Sequence, residues 1–252
     1  MAGHSKWANV KRKKAKVDAE RGKIFTKLAR EIMVAAREGG GDIQNNFRLR
    51  LAVQKAKEAN MPNENINRAI QKGTGEQDGT NYESFSYEGY GPEGVALLLD
   101  IVTDNRNRTA GEIRSIFSRR GGNLGESGCV SWMFEKKGYI VIEKKAGLPE
   151  EDDLMMLALE AGAEDFQSEK DSYHIYTSVD EFEATKKYLE DKNIKLALAE
   201  ITMVPTTTVN IKSVETAEKL MALIETLEEH DDVQNVYTNF EIDDSIMQQL
   251  RS

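Results

Sequence analysis

Residues 95–102 read Val-Ala-Leu-Leu-Leu-Asp-Ile-Val, apolar at every position except Asp100. A strand with one solvated face alternates apolar and polar residues. A strand at a sheet centre is covered on both faces and reads as a nearly continuous apolar run. This segment therefore predicts the central strand of a buried sheet, and the elements around it must supply its neighbours and cover. The 252 residues allow one to three domains with a substantial core.

The neighbours follow in order. Tyr82–Tyr87 reads as a strand, joined to the apolar run by a tight turn at Glu88-Gly89-Tyr90-Gly91-Pro92. Asp104 is placed to cap a helix running to about Arg119, with Ala110, Ile113, Ile116 and Phe117 inward. The stretch Gly121–Gly128 has too many glycines for regular structure and predicts a shaped loop. Next come a strand at Tyr139–Glu143, a helix at Glu151–Glu160 and strands at Asp165–Ser168 and Tyr173–Thr177. A helix at Val179–Leu189 and a strand at Leu196–Met203 complete the set. That order, β-α-β-β-α-β, is the split βαβ or ferredoxin-like arrangement. The tail predicts a strand at Thr207–Ile211, a helix at Val214–Glu228 and a strand at Val233–Phe240, elements that can close the sheet begun at Tyr82.

The N-terminal part is different. Ser5 can cap a short helix through Trp7 and Val10. From Asp18 to Glu38, Phe25, Leu28, Ile32 and Ala35/Ala36 recur at helical spacing until Gly39-Gly40-Gly41 ends the run. Asn45–Ala59 and a helix starting at Pro62 or Asn63 follow, the latter stopped by Gly73-Thr74-Gly75. Helices with one apolar stripe each must pack together to bury it. The expected architecture is α+β: an N-terminal three-helix bundle followed by two α/β, ferredoxin-like domains, one inserted in the other. The expected boundaries are residues 1–78 for the basic bundle, 79–134 plus 205–245 for a discontinuous α/β domain, and 135–204 for the insertion.

Charge divides along the same line. Met1–Gly75 holds 17 Lys and Arg against 7 Asp and Glu, while Glu76–Ser252 holds 17 against 36, leaving the whole chain at −9. A basic head on an acidic body points to a polyanion contacted at one end. Lys6, Lys11, Arg12, Lys13, Lys14 and Lys16, extended by Arg21, Lys23 and Lys27, are the candidate nucleic-acid contacts. Cations spread around a helix suit sequence-independent contact with phosphates. Trp7 either stacks on a base or buries its indole against the first helix. No recognition helix can be picked out from spacing alone.

A second candidate contact cleft is Asp104-Asn105-Arg106-Asn107-Arg108 at the end of the central strand, with Tyr87, Tyr90 and Asn123 beside it. A helix N-terminus after a buried strand attracts anions, and Arg106 and Arg108 offer forked donors. The alternatives are a simple helix cap with two solvated arginines, or a module that binds a small molecule or protein at this cleft without the head.

Catalytic chemistry finds no footing. No nucleophile–base set has a recognisable spacing, and Gly121-Gly122-Asn123-Leu124-Gly125 lacks the lysine of a phosphate-binding loop. His4, His174 and His230 are scattered, so neither metal nor cofactor is expected. A single cysteine, Cys129, excludes an internal disulfide, and no apolar stretch is long enough to span a membrane. The expectation is a cytoplasmic, non-enzymatic monomer.

Several of these segments resemble one family. Met1-Ala2-Gly3-His4-Ser5-Lys6-Trp7-Ala8-Asn9, Arg21-Gly22-Lys23-Ile24-Phe25-Thr26-Lys27 and Tyr87-Glu88-Gly89-Tyr90-Gly91-Pro92 match motifs of the YebC family. So do Asp104–Thr109, Gly121–Gly125 and Asp231-Asp232-Val233-Gln234, and the likeness runs essentially the whole chain. The family includes the mitochondrial translational activator of cytochrome c oxidase subunit I. The resemblance implies a helical bundle and two α/β domains around a cleft, and a role in gene expression without catalysis. It implies either a DNA-binding transcriptional regulator or a translation factor that contacts ribosomal RNA and helps the ribosome through proline-rich sequences.

Overall fold

The computed structural model describes residues 18–75 and 82–250. In chain order the elements are helices α1 (Asp18–Gly39), α2 (Phe47–Glu58) and α3 (Asn63–Thr74), then β1 (Glu83–Tyr90), β2 (Ala96–Thr103), α4 (Arg106–Arg119) and β3 (Asn123–Leu124). They continue with β4 (Phe134–Glu143), α5 (Glu151–Glu160), β5 (Ala163–Ser168), β6 (Ser172–Thr177), α6 (Phe182–Asp191) and β7 (Leu198–Pro205). The last are β8 (Val209–Ile211), α7 (Val214–Glu229), β9 (Val233–Thr238), β10 (Phe240–Ile242) and α8 (Asp244–Gln249). Packing divides the chain into two compact units, residues 1–133 with 207–252, and residues 134–206.

The bundle forms because α1, α2 and α3 each carry a narrow apolar stripe. Ile32, Ala35, Leu49, Ala52, Val53, Ala56, Ile66 and Ala69 close one core. Alanines along that seam let the helices approach closely. At Gly73 the approach is so close that a Cβ would collide with the backbone oxygen of Met33 and with Ala36. Gly40, at φ +84°, ends α1 in the left-handed conformation that favours glycine. Asn46 then joins two helices. Its Oδ1 accepts from Leu49 N at 3.0 Å, capping α2, and its Nδ2 donates to Ala35 O and Gly40 O at 2.7 and 2.8 Å. The short helix expected from Ser5 lies outside the described residues.

In the same unit four strands pair antiparallel in the order β3-β1-β2-β9. The apolar run is an inner strand, as its composition demands. Val95, Leu97, Leu99 and Ile101 pack against Ile113 and Phe117 of α4 and Leu220, Leu223, Ile224 and Leu227 of α7. Leu98 and Val102, on the other face, are buried as well.

Three local expectations need correction. The hairpin turn is not at Glu88–Pro92, because β1 continues to Tyr90, which pairs with Ala96. The chain reverses at Gly91–Gly94, where Gly91 N donates to Val95 O at 2.8 Å and Glu93 and Gly94 both have positive φ. Gly89 stays in the strand because only glycine fits there: a Cβ would lie 2.6 Å from Asn123 O. That oxygen belongs to β3, a two-residue strand inside the expected loop. Finally, the strand expected at Val233–Phe240 breaks at Asn239. The side chain of Asn239 accepts from Ala96 N at 2.8 Å, and the chain then leaves β2 to pair parallel with β8 as β10.

The second unit has the strand order β5-β6-β4-β7, antiparallel throughout. β6 therefore lies between β4 and β5, the split βαβ arrangement. Helices α5 and α6 bury Leu154, Ala158, Phe182 and Leu189 against Ile140, Ile142 and Ile175. Tyr139, Val141 and Tyr176 form a separate cluster. Buried His174 accompanies them, with Tyr139 Oη and Ser172 Oγ 2.6 and 2.8 Å from its two ring nitrogens.

Candidate nucleic-acid interface

Of the candidate contacts singled out in the head, Lys6, Trp7, Lys11, Arg12, Lys13, Lys14, Lys16 and the side chain of Arg21 lie outside the described residues. Lys23 is exposed on α1. Lys27, one helical turn on, points into the protein. Its Nζ donates to Glu228 O at 2.6 Å and Val233 O at 2.7 Å, tying α1 to the end of α7 and the start of β9. Burial is the main cause that pulls this ammonium down to about 8, against the raising effect of Asp231 and Glu228.

Many other bundle cations also have partners close by. Arg48 pairs with Glu38, Arg68 with Glu64 at 2.7 Å and Lys55 with Glu31 at 3.9 Å. Arg50 lies over the Phe47 ring and donates to Gln44 O at 3.1 Å. The bundle from Asp18 to Gly75 carries 11 cations against 7 carboxylates. Residues 6–16 carry six cations and no carboxylate at all. The density of unopposed charge is therefore highest in that segment.

The second candidate cleft resolves into a junction built around Asp232. This carboxylate is 2 % exposed. It accepts from Arg30 Nη1 at 3.0 Å, Arg108 Nη2 at 2.8 Å, Thr109 Oγ1 at 2.7 Å and Thr103 Oγ1 at 3.1 Å. Burial would raise its pKa, but the hydrogen bonds from Arg108, Thr109 and Thr103 outweigh that and hold it below the ordinary aspartate value. Arg108 also reaches Asp104 at 3.0 Å. The cap of α4 is not Asp104 but Asn105, whose Oδ1 accepts from Arg108 N at 3.1 Å. Asp104 is one residue too early for that geometry and serves as a counter-ion instead.

The remaining members of the cleft take different places. Arg106 lies 4.2 Å above the Phe85 ring, and Tyr87 Oη donates to Arg106 O at 3.4 Å. Asn107 is exposed. Tyr90 and Asn123 pair across β1 and β3, and Tyr90 Oη donates to Cys129 O at 2.9 Å. Arg108 is thus drawn into the junction, Arg106 stacks on an aromatic, and Tyr90 supports a loop. A groove of about 780 Å³ opens beside the junction, lined by Lys23, Arg30, Arg108, Glu112, Arg119 and His230 among others.

His230 was scattered in sequence but has close company in space. Its Nε2 is 2.9 Å from Glu112 and its Nδ1 accepts from Asp232 N at 3.1 Å. Glu112, His230 and Asp232 have the residue types of a metal site. Their chemistry does not suit a cation, because both imidazole nitrogens are engaged and two guanidinium groups already hold Asp232.

One pair was invisible in sequence. Glu88 is 4 % exposed, and its carboxylate accepts three backbone N–H groups, from Gly128 and Val130 at 2.7 Å and Ser131 at 2.8 Å. Burial would raise its pKa, but those N–H donors outweigh it and hold the carboxylate below the usual glutamate value. The loop it organises carries Trp132, 66 % exposed. Nothing local marks Glu88 as buried, since its partners lie 40 to 43 residues away.

The fold and this surface define a class: a basic helical bundle followed by two α/β units, rich in ion-paired surface. Two family models match, described as the TACO1/YebC protein N-terminal domain over residues 5–76 and the TACO1/YebC second and third domain over residues 82–240. The chain belongs to the TACO1/YebC family. It is 64 % identical over 244 residues to a probable transcriptional regulatory protein of Pelotomaculum thermopropionicum, covering 97 % of this chain and all of that one. It is 60 % identical over 249 residues to a protein of the same description from Natranaerobius thermophilus, covering 98 % and 99 %. A crystal structure of a conserved hypothetical protein from Aquifex aeolicus matches with a TM-score of 0.79 at 51 % identity, covering 91 % of this chain and 93 % of that one. Among the described residues no helix is long and apolar enough to cross a membrane.

Proposed function

We propose that this chain is a non-enzymatic regulator of gene expression that works in the cytoplasm as a monomer, and that it grips nucleic acid through its basic N-terminal segment. The observation that carries the reading is the segregation of charge. Six cations without a carboxylate in residues 6–16 precede a body of net −19 from Glu76 onward. Lysines and arginines that neutralise phosphates give affinity that falls steeply with salt, while the acidic body offers phosphates little further attraction. The description of the relatives as transcriptional regulatory proteins supports duplex DNA as the partner. The exposed indole of Trp132 favours a second reading, contact with ribosomal RNA by a factor that eases translation of proline-rich sequences, because unpaired RNA bases stack on aromatic faces.

The test is to crosslink the protein in growing cells and sequence the bound nucleic acid. A variant with Lys11, Arg12, Lys13 and Lys14 changed to Glu runs in parallel. Discrete promoter DNA recovered only with the unaltered segment supports the transcription reading. Ribosomal RNA recovered in the same way supports the translation reading. In vitro the charge reversal is expected to lower affinity at least about a hundredfold at low salt. Recovery unchanged by the reversal overturns the basic-segment mechanism.

A further inference from the structure

We infer that Trp132 is a stacking platform for one unpaired nucleobase of the bound nucleic acid, an inference that rests on the nucleic-acid reading above. Trp132 is the most exposed of the large apolar side chains among the described residues. The others, Ile24, Phe47, Met156 and Leu159, are 37–53 % exposed and all lie on helices. Trp132 sits in a single 3-10 turn, Ser131–Met133, and its ring is held. Its Nε1 donates to Cys129 O at 3.1 Å, and the same oxygen accepts from Tyr90 Oη at 2.9 Å. Glu88 gathers the N–H groups of Gly128, Val130 and Ser131 on one buried carboxylate, and Met133 N donates to Val130 O at 2.9 Å, fixing a turn across Ser131–Met133. The loop is anchored from below by Val130, which is fully buried. An aromatic face held ready in water gives up little conformational freedom when something stacks on it.

The chemistry selects the occupant. A tryptophan at a protein contact ordinarily brings its N–H as a polar handle. Here that handle is already satisfied inside the chain, and only the π face is on offer. A bare π face with its N–H already used suits a group that is flat and can stack. A nucleobase is such a group. In a duplex both its faces are covered by neighbours, so the base must be unpaired. The phosphates of the same strand are held elsewhere, by the basic segment, which leaves the platform to discriminate single-stranded from paired nucleic acid.

The full-length protein is irradiated with a 5-iodouridine-substituted single-stranded 12-mer and the crosslinked peptide is identified by mass spectrometry. Fluorescence anisotropy then measures binding of the plain 12-mer and of its duplex to the unaltered protein, Trp132→Ala and Trp132→Phe. The expected result is a crosslink at Trp132, and a loss of single-strand affinity of about fivefold to a hundredfold in W132A. W132F recovers part of that loss, and duplex affinity is unchanged. Crosslinks confined to residues 6–16, with W132A binding the single strand as tightly as the unaltered protein, overturn the platform and leave the nucleic-acid reading intact. Failure to bind either nucleic acid overturns both. A dimer in sedimentation that W132A converts to monomer assigns the ring to a second copy and overturns the platform.

Discussion

Two cation-bearing stretches of this chain differ in composition: residues 104–109 hold two arginines beside an aspartate, and residues 6–16 hold six cations and no acid. Residues 104–109 offer Arg106 and Arg108 at a helix N-terminus, a place suited to an anion. The fold supplies the anion itself. Asp232 arrives from the turn before β9 and takes Arg108 together with Arg30 of the bundle. Residues 6–16 contain no acid with which to do the same. A cation at a helix N-terminus is therefore a candidate for an outside polyanion only once the chain's own distant carboxylates have been placed. A buried, fully hydrogen-bonded carboxylate between two guanidinium groups marks a joint.

The sharpest way to break this contrast is Asp232→Ala. Removing a buried carboxylate and leaving two arginines without their counter-ion is expected to cost about 3–5 kcal/mol, read by chemical denaturation. If the corner is a joint, protein that remains folded keeps its affinity for nucleic acid. A variant of unaltered stability that loses binding would move Asp232 and its arginines into the interface. Acid should act in the same direction, since a carboxyl held below its ordinary value contributes stability that is lost as pH falls below about 4 and through its folded pKa.

A smaller effect is expected from Asn105→Ala, which removes the cap of α4 and should cost about 1 kcal/mol in the same assay. Asp104→Ala leaves that cap in place and should cost less, since its ion pair with Arg108 is exposed. The reverse order would restore Asp104 as the cap.

A further signal, read as a slope with pH and not as a single stability loss, is expected at Lys27. Its folded pKa, about 8, lies below the ordinary lysine value of 10.5. Between those values the unfolded chain holds the proton more tightly, so stability attributable to this residue rises with pH. The stability of the unaltered protein relative to Lys27→Met should increase from pH 8 to pH 10 and be level below pH 8. A level difference throughout would place the ammonium in solvent, among the exposed cations of the bundle.

Much of the fold was legible because it is written in local periodicity. The apolar run at 95–102, the alanine-rich stripes of α1 and α2 and the β-α-β-β-α-β order each report on near neighbours. The turn after β1 was misplaced because Glu88-Gly89 has turn composition but strand duties, set by Phe117 and by the backbone of β3. The single strand expected to Phe240 hid a change of partner that depends on where Ala96 lies. Among candidate site residues, Lys27 looked like its neighbour Lys23, and only the position of α7 separates them.

By itself, then, the sequence determined the kinds and order of the elements and the division of charge between head and body, because propensity, capping and composition act over a few residues. The tertiary structure decided which charges are spent. Arg30 meets Asp232 across 202 positions, Arg108 meets it across 124, and Glu88 reaches the loop of Trp132 across about 40. Electrostatic pairing depends on distance in space and on exclusion of water, and neither is encoded by spacing along the chain.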